Sequence, residues 1–331
     1  MKATSFNTGW TCRHLGSSAP GTPVTLPHDA MLAEERSQTS AGGTNTGWFA
    51  GYDYLYEKHF TPDAAQAAQC AVLEFEGVYH NAEVHLNGEK IASCPYGYSD
   101  FYADLTGKLL PGRDNVLEVI AHNADQPNSR WYSGAGIYRP VTLWTAPARH
   151  ILPDGVQVRT LSIDPAEVEV TVQTTASGAV AVAILDGEQT VATAQAESNG
   201  KAVLRVQIPN AKLWSPDSPA LYRCRAMFGD DCAETTFGVR TLSWGDDGFL
   251  LNGKRVILLG ACVHHDHGVL GACCYPEAEE RKARLLQKVG YNAVRCAHNP
   301  CSKAFLDACD RLGMLVMDEY ADMWYIHKTQ Y

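Results

Sequence analysis

The chain has 331 residues and a mass of 36.1 kDa, enough for two or three domains of ordinary size. Hydrophobic residues make up 45% and charged residues 19%, so the composition is that of a folded protein and excludes a disordered chain. The formal net charge is −10 without any Lys/Arg-rich run, which argues against nucleic acid and membranes as partners and leaves neutral ligands such as sugars.

The first ten residues are polar and lack the apolar core of a signal peptide, and no apolar stretch is long enough to span a membrane. The eleven cysteines show neither CxxC pairs nor zinc-finger spacing. We therefore expect free thiols in a reducing compartment and predict a cytoplasmic protein.

Residues 1–147 are predicted to form an all-β sandwich of the jelly-roll kind. In residues 71–76 apolar residues alternate with two glutamates, which predicts that the glutamates lie on the face opposite the core. The alternating run 83–86 ends at Asn87-Gly88, a dipeptide that favours a type I′ hairpin turn. Further strands are predicted over residues 115–122 and 137–144.

Residues 148–240 are predicted to form an immunoglobulin-like β-sandwich. Valines at positions 168, 170 and 172 alternate with polar residues, 180–185 is continuously apolar, and 202–208 alternates again. The segment has the length and the number of strand-like runs of this fold, about seven, but not the Cys…Trp…Cys framework of antibody domains.

Residues 241–331 are predicted to form the first three βα units of an incomplete (β/α)8 TIM barrel. A hairpin signal at Asn252-Gly253 is followed by a Val/Ile/Leu run, predicted to be a strand, that ends at Leu259. The next helix is predicted to begin at Pro276 and to stop at Gly290. Its predicted apolar face consists of Leu285, Leu286 and Val289.

A second strand over 292–295 and a third over 314–317 flank a helix with Ser302 as N-cap and Gly313 as terminator. The apolar face predicted for this helix consists of Phe305, Leu306, Cys309 and Leu312. A complete barrel takes roughly 250 residues, so three of eight strands are expected here and the chain is interpreted as a fragment.

Each of the three parallel strands is followed by polar residues at its carboxyl end, the end that carries the active site in (β/α)8 barrels. These are His264-His265-Asp266-His267, then Arg295 with His298-Asn299, then Asp318-Glu319. For His267 we favour a structural hydrogen-bonding role and for His298 a functional one. Asp318 either serves the site or fixes a loop by accepting backbone N–H bonds, and Glu319 is expected to pair with Arg295.

The run 292–300, together with Cys309-Asp310-Arg311-Leu312-Gly313 and Met317-Asp318-Glu319, resembles the barrel signature of glycoside hydrolase family 2, with Ala297 where serine is common. Four upstream runs are similar to other parts of that family: residues 26–29, 84–88, 131–141 and 213–216. Residues 260–266 resemble its first barrel strand, so the resemblance covers essentially the whole chain.

The resemblance implies a retaining exo-glycosidase, in which two carboxyl groups about 5–5.5 Å apart act as acid/base and nucleophile. In the family these glutamates follow the fourth and seventh barrel strands, so no catalytic residue is expected before Tyr331. The resemblance assigns the sugar-binding half of the pocket instead. The substrate-binding set is His264, His298, Arg295, Asp318, Asn299, Trp324, Arg130 and Trp131.

Within this set the resemblance gives the two histidines contacts with the sugar or the transition state, Arg295 the orientation of a catalytic carboxylate, and Asp318 the pocket floor. Arg130 and Trp131 precede a glycine-rich loop that is expected to reach the pocket from the jelly roll. Trp324 either stacks on an apolar sugar face or packs its own loop.

The pattern looks most like β-galactosidases, which implies a terminal β-linked galactoside as substrate, with β-glucuronidase and β-mannosidase as alternatives. No cofactor is required, although a monovalent or Mg ion and a homo-oligomer are compatible with the full-length enzyme. A non-catalytic carbohydrate-binding protein is a further alternative. A metal-dependent hydrolase built on the histidines is disfavoured, because catalytic zinc needs three converging ligands and adjacent strand residues point to opposite faces.

Overall fold

The structure is a computed structural model that describes residues 1–322. Trp324 lies outside the described residues. Over the described range, the chain forms an antiparallel double sheet, a second β-sandwich, and a three-stranded parallel sheet with two helices. No helix within this range is long and apolar enough to cross a membrane. The fold class predicted from the sequence is confirmed.

The first domain packs a six-stranded sheet, in the order β3-β2-β4-β9-β6-β7, on a four-stranded sheet, in the order β1-β10-β5-β8. Its core contains large side chains that are almost completely buried, including Trp10, Tyr56 and Phe75. The strands are β1 (Lys2–Ser5), β2 (Trp10–His14), β3 (Thr22–Val24), β4 (Tyr54–Phe60), β5 (Cys70–Phe75), β6 (Ala82–Leu86), β7 (Glu89–Cys94), β8 (Phe101–Asp104), β9 (Asn115–Ala121) and β10 (Val141–Ala146). The helices are α1 (Ala64–Ala67) and two 3-10 turns, Ala30–Ala33 and Gly43–Thr46.

The hairpin predicted at Asn87-Gly88 is confirmed: both residues have positive φ and join β6 to β7. The strand predicted over 137–144 begins only at Val141, because Pro140 has no N–H to donate and the carbonyls of Ile137 and Tyr138 accept from the N–H groups of His28 and Cys274 instead of from a neighbouring strand. Glu74 alternates along β5 with the core residues Leu73 and Phe75, as predicted, but its face of the strand is covered and Glu74 is 2% exposed. The indole of Trp144 and the ammonium of Lys303 cover its carboxylate.

The second domain is built around two long antiparallel strands that pair along most of their length. The first half of β12 pairs with β11 and its second half with β16, with a register shift between Gln173 and Ser177. Val168, Val170 and Val172 are buried as the alternation predicted. The strands are β11 (Ile151–Ile163), β12 (Ala166–Asp186), β13 (Gln189–Gln207), β14 (Trp214–Ser215), β15 (Ser218–Pro219), β16 (Tyr222–Phe228) and β17 (Asp231–Phe237).

The third segment contains an antiparallel hairpin followed by the parallel sheet β21-β22-β23. The strands are β18 (Leu242–Gly245), β19 (Gly248–Leu251), β20 (Lys254–Arg255), β21 (Gly260–Val263), β22 (Ala293–Cys296) and β23 (Leu315–Asp318). The helices are the 3-10 turn Gly268–Leu270, α2 (Pro276–Lys288) and α3 (Lys303–Leu312). Ser302 caps α3 by accepting the N–H of Phe305, and Gly313 ends it with φ 75°, as predicted.

Two sequence predictions for this segment are wrong. The Val/Ile/Leu run that ends at Leu259 is not a strand, because the side chain of Asn292 takes its backbone groups: it accepts the N–H of Leu259 at 2.8 Å and donates to the carbonyl of Ile257 at 2.9 Å. The apolar face predicted for α2 is also incorrect, since Leu285 and Val289 are exposed. The helix instead packs through Glu279 and Ala283, with Leu286 partly buried.

Both sandwich domains contact the parallel segment directly. Trp214 of the second domain donates its indole N–H to the carbonyl of Asp310 in α3 at 2.8 Å. Arg139 of the first domain donates to the carbonyl of Pro300, in the loop between β22 and α3, at 2.7 Å. The Arg139 contact fixes the loop after β22 against the jelly roll, and the Trp214 contact holds α3 against the second domain.

Candidate functional site

The candidate site lies where the carboxyl ends of the parallel strands meet a loop of the jelly roll. Three rings pack against one another there: the Trp131 ring centroid is 5.6 Å from that of His264 and 5.3 Å from that of His298. The two histidine rings are 5.8 Å apart and nearly perpendicular. The structure therefore brings together the tryptophan and both histidines that the sequence analysis selected from separate domains.

Glu319 organises the polar side of this group. Its carboxylate accepts a hydrogen bond from Nε of Arg295 at 2.6 Å and lies 3.0 Å from Nδ1 of His298. Burial raises the pKa of Glu319, but these two contacts outweigh it and hold that pKa below its ordinary value. The expected pairing with Arg295 is confirmed, and Glu319 positions His298 as well.

His264 presents a neutral ring to the same group. Burial lowers its pKa, and the neighbouring His298, Lys282 and Arg130 lower it further. Its carbonyl accepts a hydrogen bond from Nζ of Lys282 at 2.9 Å, which ties the end of β21 to helix α2. A neutral imidazole can both donate and accept hydrogen bonds, as recognition of a sugar hydroxyl requires.

Arg130 is held by a carboxylate across the domain boundary. Its Nε and one terminal nitrogen lie 3.1 and 2.5 Å from Oδ2 of Asp322, and its guanidinium carbon is 5.5 Å from the Trp131 ring centroid. Trp131 itself donates its indole N–H to the hydroxyl of Tyr98 at 3.1 Å. Sequence reasoning missed Asp322 and Tyr98, because no local pattern marks a partner that lies far along the chain: Asp322 is 192 positions from Arg130, and Tyr98 is 33 positions from Trp131.

The remaining histidines after β21 face away from the three rings. His265 is buried, lies 3.1 Å from the carbonyl of Ser133 through Nε2, and has its pKa lowered to about 4 by that burial. His267 lies 3.4 Å from the buried carboxylate of Glu279. The structural role favoured for His267 agrees with this geometry.

Asp318 and Asn299 are placed differently from the rings. Asp318 accepts the backbone N–H of Cys301 at 3.0 Å, so it fixes the loop between β22 and α3, which is the second of its two expected roles. Asn299 is 3% exposed and lines a small cavity behind the rim together with His264, Glu279 and Lys282. Neither is brought into the group that Glu319 organises.

An aromatic cleft of about 210 Å³ opens beside Trp131 on the jelly-roll side. Its lining includes Tyr96, Tyr98, Asn128 and Arg130. Aromatic faces next to amide and guanidinium groups are suited to ligands with apolar faces and polar edges, which is the character of a sugar ring.

Within residues 1–322, two groups of side chains are close enough to share an ion, and neither contains a histidine. One consists of Cys296, Cys301 and Asp318, and the other of Glu74, Asp100 and Asp154. The second group is contacted by the ammonium of Lys303, which supplies positive charge there. The geometry thus does not gather the histidines around a catalytic metal.

Known proteins share this arrangement of domains. Residues 10–149 match the glycosyl hydrolase 2 galactose-binding domain-like family, residues 154–240 match glycosyl hydrolases family 2, and residues 243–326 match the TIM barrel domain of that family. A crystal structure of a glycosyl hydrolase family 2 member from Bacteroides cellulosilyticus superimposes with a TM-score of 0.91 at 34% identity, covering 100% of this chain and 47% of that one.

Two relatives carry different activity names. The chain is 38% identical to the beta-galactosidase BoGH2A of Bacteroides ovatus, over 98% of this chain and 42% of that protein. It is 32% identical to a putative beta-glucuronidase of Formosa agariphila, over 91% of this chain and 30% of that protein. The chain thus spans less than half the length of these relatives. Since the three family matches follow one another along nearly the whole sequence, this chain belongs to glycosyl hydrolase family 2.

Proposed function

We propose that this chain supplies the sugar-binding half of a retaining exo-glycosidase that acts on terminal β-galactosides. The observation that carries the proposal is the cluster formed by Trp131, His264 and His298, in which an aromatic face from the jelly roll meets hydrogen-bonding rings from the barrel. An aromatic ring covers the apolar face of a sugar, and imidazole nitrogens bond its hydroxyls.

The charges at the rim favour a neutral sugar over a uronic acid. Arg295 is paired with Glu319, and Arg130 is paired with Asp322. A glucuronide carboxylate would have to compete with these carboxylates for the two guanidinium groups. The beta-galactosidase relative supports the same choice, whereas the beta-glucuronidase relative keeps the glucuronide as the second candidate.

We also propose a cytoplasmic location for the whole enzyme, which requires no cofactor and is compatible with a monovalent or magnesium ion. A magnesium ion prefers an all-oxygen site. In the described part of the chain, the carboxylate group at Glu74, Asp100 and Asp154 is already contacted by Lys303, so it does not suit that ion.

The test is a calorimetric or saturation-transfer NMR comparison of methyl β-D-galactoside with methyl β-D-glucuronide on this chain. We expect the galactoside to bind, and Trp131→Ala to weaken that binding about tenfold, equivalent to about 1.4 kcal/mol. Trp244→Ala is the matched control, because Trp244 is 80% exposed on a hairpin of the barrel segment.

The same titration on His298→Ala should show a smaller loss, about three- to tenfold, as for the removal of one hydrogen-bonding partner. Preferential binding of the glucuronide would replace the β-galactosidase proposal by the β-glucuronidase one. Absence of binding of either sugar, in protein whose circular dichroism is unchanged, would contradict both.

No hydrolysis of an aryl β-galactoside by this chain alone is expected, because the sequence after Glu319 contains no Asn-Glu pair to provide the acid/base. Turnover by the purified chain that disappears in His298→Ala would show instead that catalytic groups lie within these residues.

A further inference from the structure

Two thiols and one carboxylate converge behind the candidate site, at the carboxyl end of the parallel sheet. Cys296 ends β22, Asp318 ends β23 opposite it in register, and Cys301 lies in the loop that leads to α3. Their two sulfur atoms and a carboxylate oxygen all lie within 4.8 Å of one another. We propose that this trio is a binding site for a divalent cation of the zinc class.

The ligand types select this class of ion. Thiolates are soft ligands that favour zinc and related metals over magnesium and calcium. Zinc binds sulfur at about 2.3 Å and carboxylate oxygen at about 2.0–2.2 Å in a tetrahedron, which places its ligand atoms roughly 3.3–3.8 Å apart. The three atoms lie within 4.8 Å of one another, so shifts of about 1 Å in the Cys301 and Asp318 side chains reach these separations. The fourth position of the tetrahedron is left to a ligand from outside the trio, such as water.

The three ligands are supported by the fold. Cys296 is 3% exposed and packs in the core of the barrel segment, which fixes its position. The carboxylate of Asp318 is oriented by the backbone N–H of Cys301 at 3.0 Å. Such outer hydrogen bonds orient metal ligands in known sites.

The local charge also matches a dication. With both thiols deprotonated, the trio carries three negative charges. Arg139, which is 3% exposed and donates to the carbonyl of Pro300 at 2.7 Å, brings one positive charge to the same loop. A divalent cation would supply two further positive charges, which offset the remaining charge of the three ligands.

A bound ion would link the ends of β22 and β23 to the loop at residues 297–300, which carries His298 and Asn299. Its role is therefore structural, and the inference does not depend on which sugar the site binds. Metal binding and sugar binding can fail independently of each other.

The test uses the reduced, metal-free chain titrated with Co²⁺, followed by the sulfur-to-cobalt charge-transfer absorption. We expect one equivalent to bind with a thiolate spectrum and Zn²⁺ to displace it. Cys296→Ser and Cys301→Ser should each weaken binding by more than about 100-fold, since loss of even an outer-shell partner costs 10–100-fold. Cys232→Ser, an exposed thiol of the second domain, should leave binding unchanged.

Zinc K-edge X-ray absorption of the wild-type chain provides a measurement that does not depend on the folding of variants. Two sulfur neighbours at about 2.3 Å are expected. The proposal is overturned if no sulfur neighbour is found, or if the Cys296→Ser chain gives the wild-type cobalt spectrum. It is also overturned if the reduced chain binds no Co²⁺ and the two cysteines form only a disulfide with oxidised glutathione.

Discussion

The two sandwich domains and the parallel segment bury their apolar residues by different means. In the second domain, alternating valines of β12 are completely buried by strands of the same domain. In the parallel segment, Ile257, Val269 and Val289 are 69%, 94% and 70% exposed. Antiparallel sandwiches enclose their own cores, whereas this three-stranded sheet obtains part of its burial from side chains that the sandwiches supply.

Trp214 is the largest of those side chains. It is 1% exposed and packs with Leu251, Ala293 and Leu315 of the parallel segment, although it belongs to the second domain. Ala272 is likewise buried among tyrosines of the jelly roll. The comparison therefore predicts that removing a sandwich side chain destabilises the parallel segment more than it destabilises the sandwich.

The largest expected effect is that of Trp214→Ala. It removes the apolar contacts and the bond to the carbonyl of Asp310, and should lower the free energy of unfolding of the parallel segment by about 3–5 kcal/mol. Hydrogen exchange measured by mass spectrometry should show lost protection in β21 to β23 and retained protection in the jelly roll.

Trp244→Ala serves again as the control, with an expected change within about 0.5 kcal/mol because its ring is exposed. Equal loss of protection in all three domains would show that the chain unfolds as one unit, and the contrast between the regions would then be invalid.

Local signals in the sequence predicted the elements that depend on their own residues. Ser302 caps the start of α3, Gly313 ends it, and Asn87-Gly88 forms the turn of a hairpin. These were predictable because caps and left-handed turns are properties of a few adjacent residues. The strand predicted before Leu259 failed because its backbone partners belong to Asn292, which lies 33 positions further along the chain. Tertiary contacts of this kind leave no mark in the local pattern.

At the candidate site, too, some of the geometry was predicted from the sequence and some depends on tertiary contacts. The resemblance selected Trp131, His264 and His298, and the structure brings them together. Alternation along a strand implies that Asp318 and Glu319 face opposite sides of the sheet, but not which of them faces the pocket. The structure shows that Glu319 faces the pocket, because its carboxylate accepts a hydrogen bond from Arg295 there. Asp318 pairs in register with Cys296 instead.

Glu279 of α2 is a buried carboxylate that accepts a hydrogen bond from Ser302, the N-cap of α3, at 3.0 Å. This contact makes the stability of the parallel segment depend on pH. Burial raises the pKa of Glu279, but His267, Lys282 and Ser302 outweigh burial and bring the pKa to about 2. The pKa in the folded state is thus below the unfolded value. The stabilisation is complete above about pH 4.5 and is lost as the pH falls toward 2, by up to about 3 kcal/mol.

Urea unfolding of the wild type and of Glu279→Gln between pH 7 and pH 2.5 measures this effect. The two stabilities should converge as the pH falls, because glutamine lacks the charge at every pH. Glu277→Gln, in the same first turn but exposed, should run parallel to the wild type. A constant gap between the wild type and Glu279→Gln would mean that the side chain contributes by packing instead of charge.

The smallest expected loss of stability is for the removal of Lys303, which joins α3 to both sandwich domains. Its ammonium contacts Glu74 of the jelly roll and lies 2.8 Å from Asp154 of the second domain. Burial lowers its pKa, but the two carboxylates outweigh burial and raise it. Lys303→Met keeps the apolar stem and leaves the buried Glu74 with the indole of Trp144 as its remaining described partner. We expect a loss of about 1–2 kcal/mol, between the values for exposed and buried ion pairs, because the lysine side chain is 41% exposed.

A double-mutant cycle with Glu74→Gln and a second cycle with Asp154→Asn separate the two contacts. The coupling should be larger for Glu74, which is 3% exposed at its side chain, than for Asp154, which is 58% exposed, since water screens the outer pair. Coupling to neither carboxylate would show that the Lys303 ion pairs do not join the domains. In that case Trp214 and Arg139, rather than this ion pair, would be what holds the parallel segment to the sandwiches.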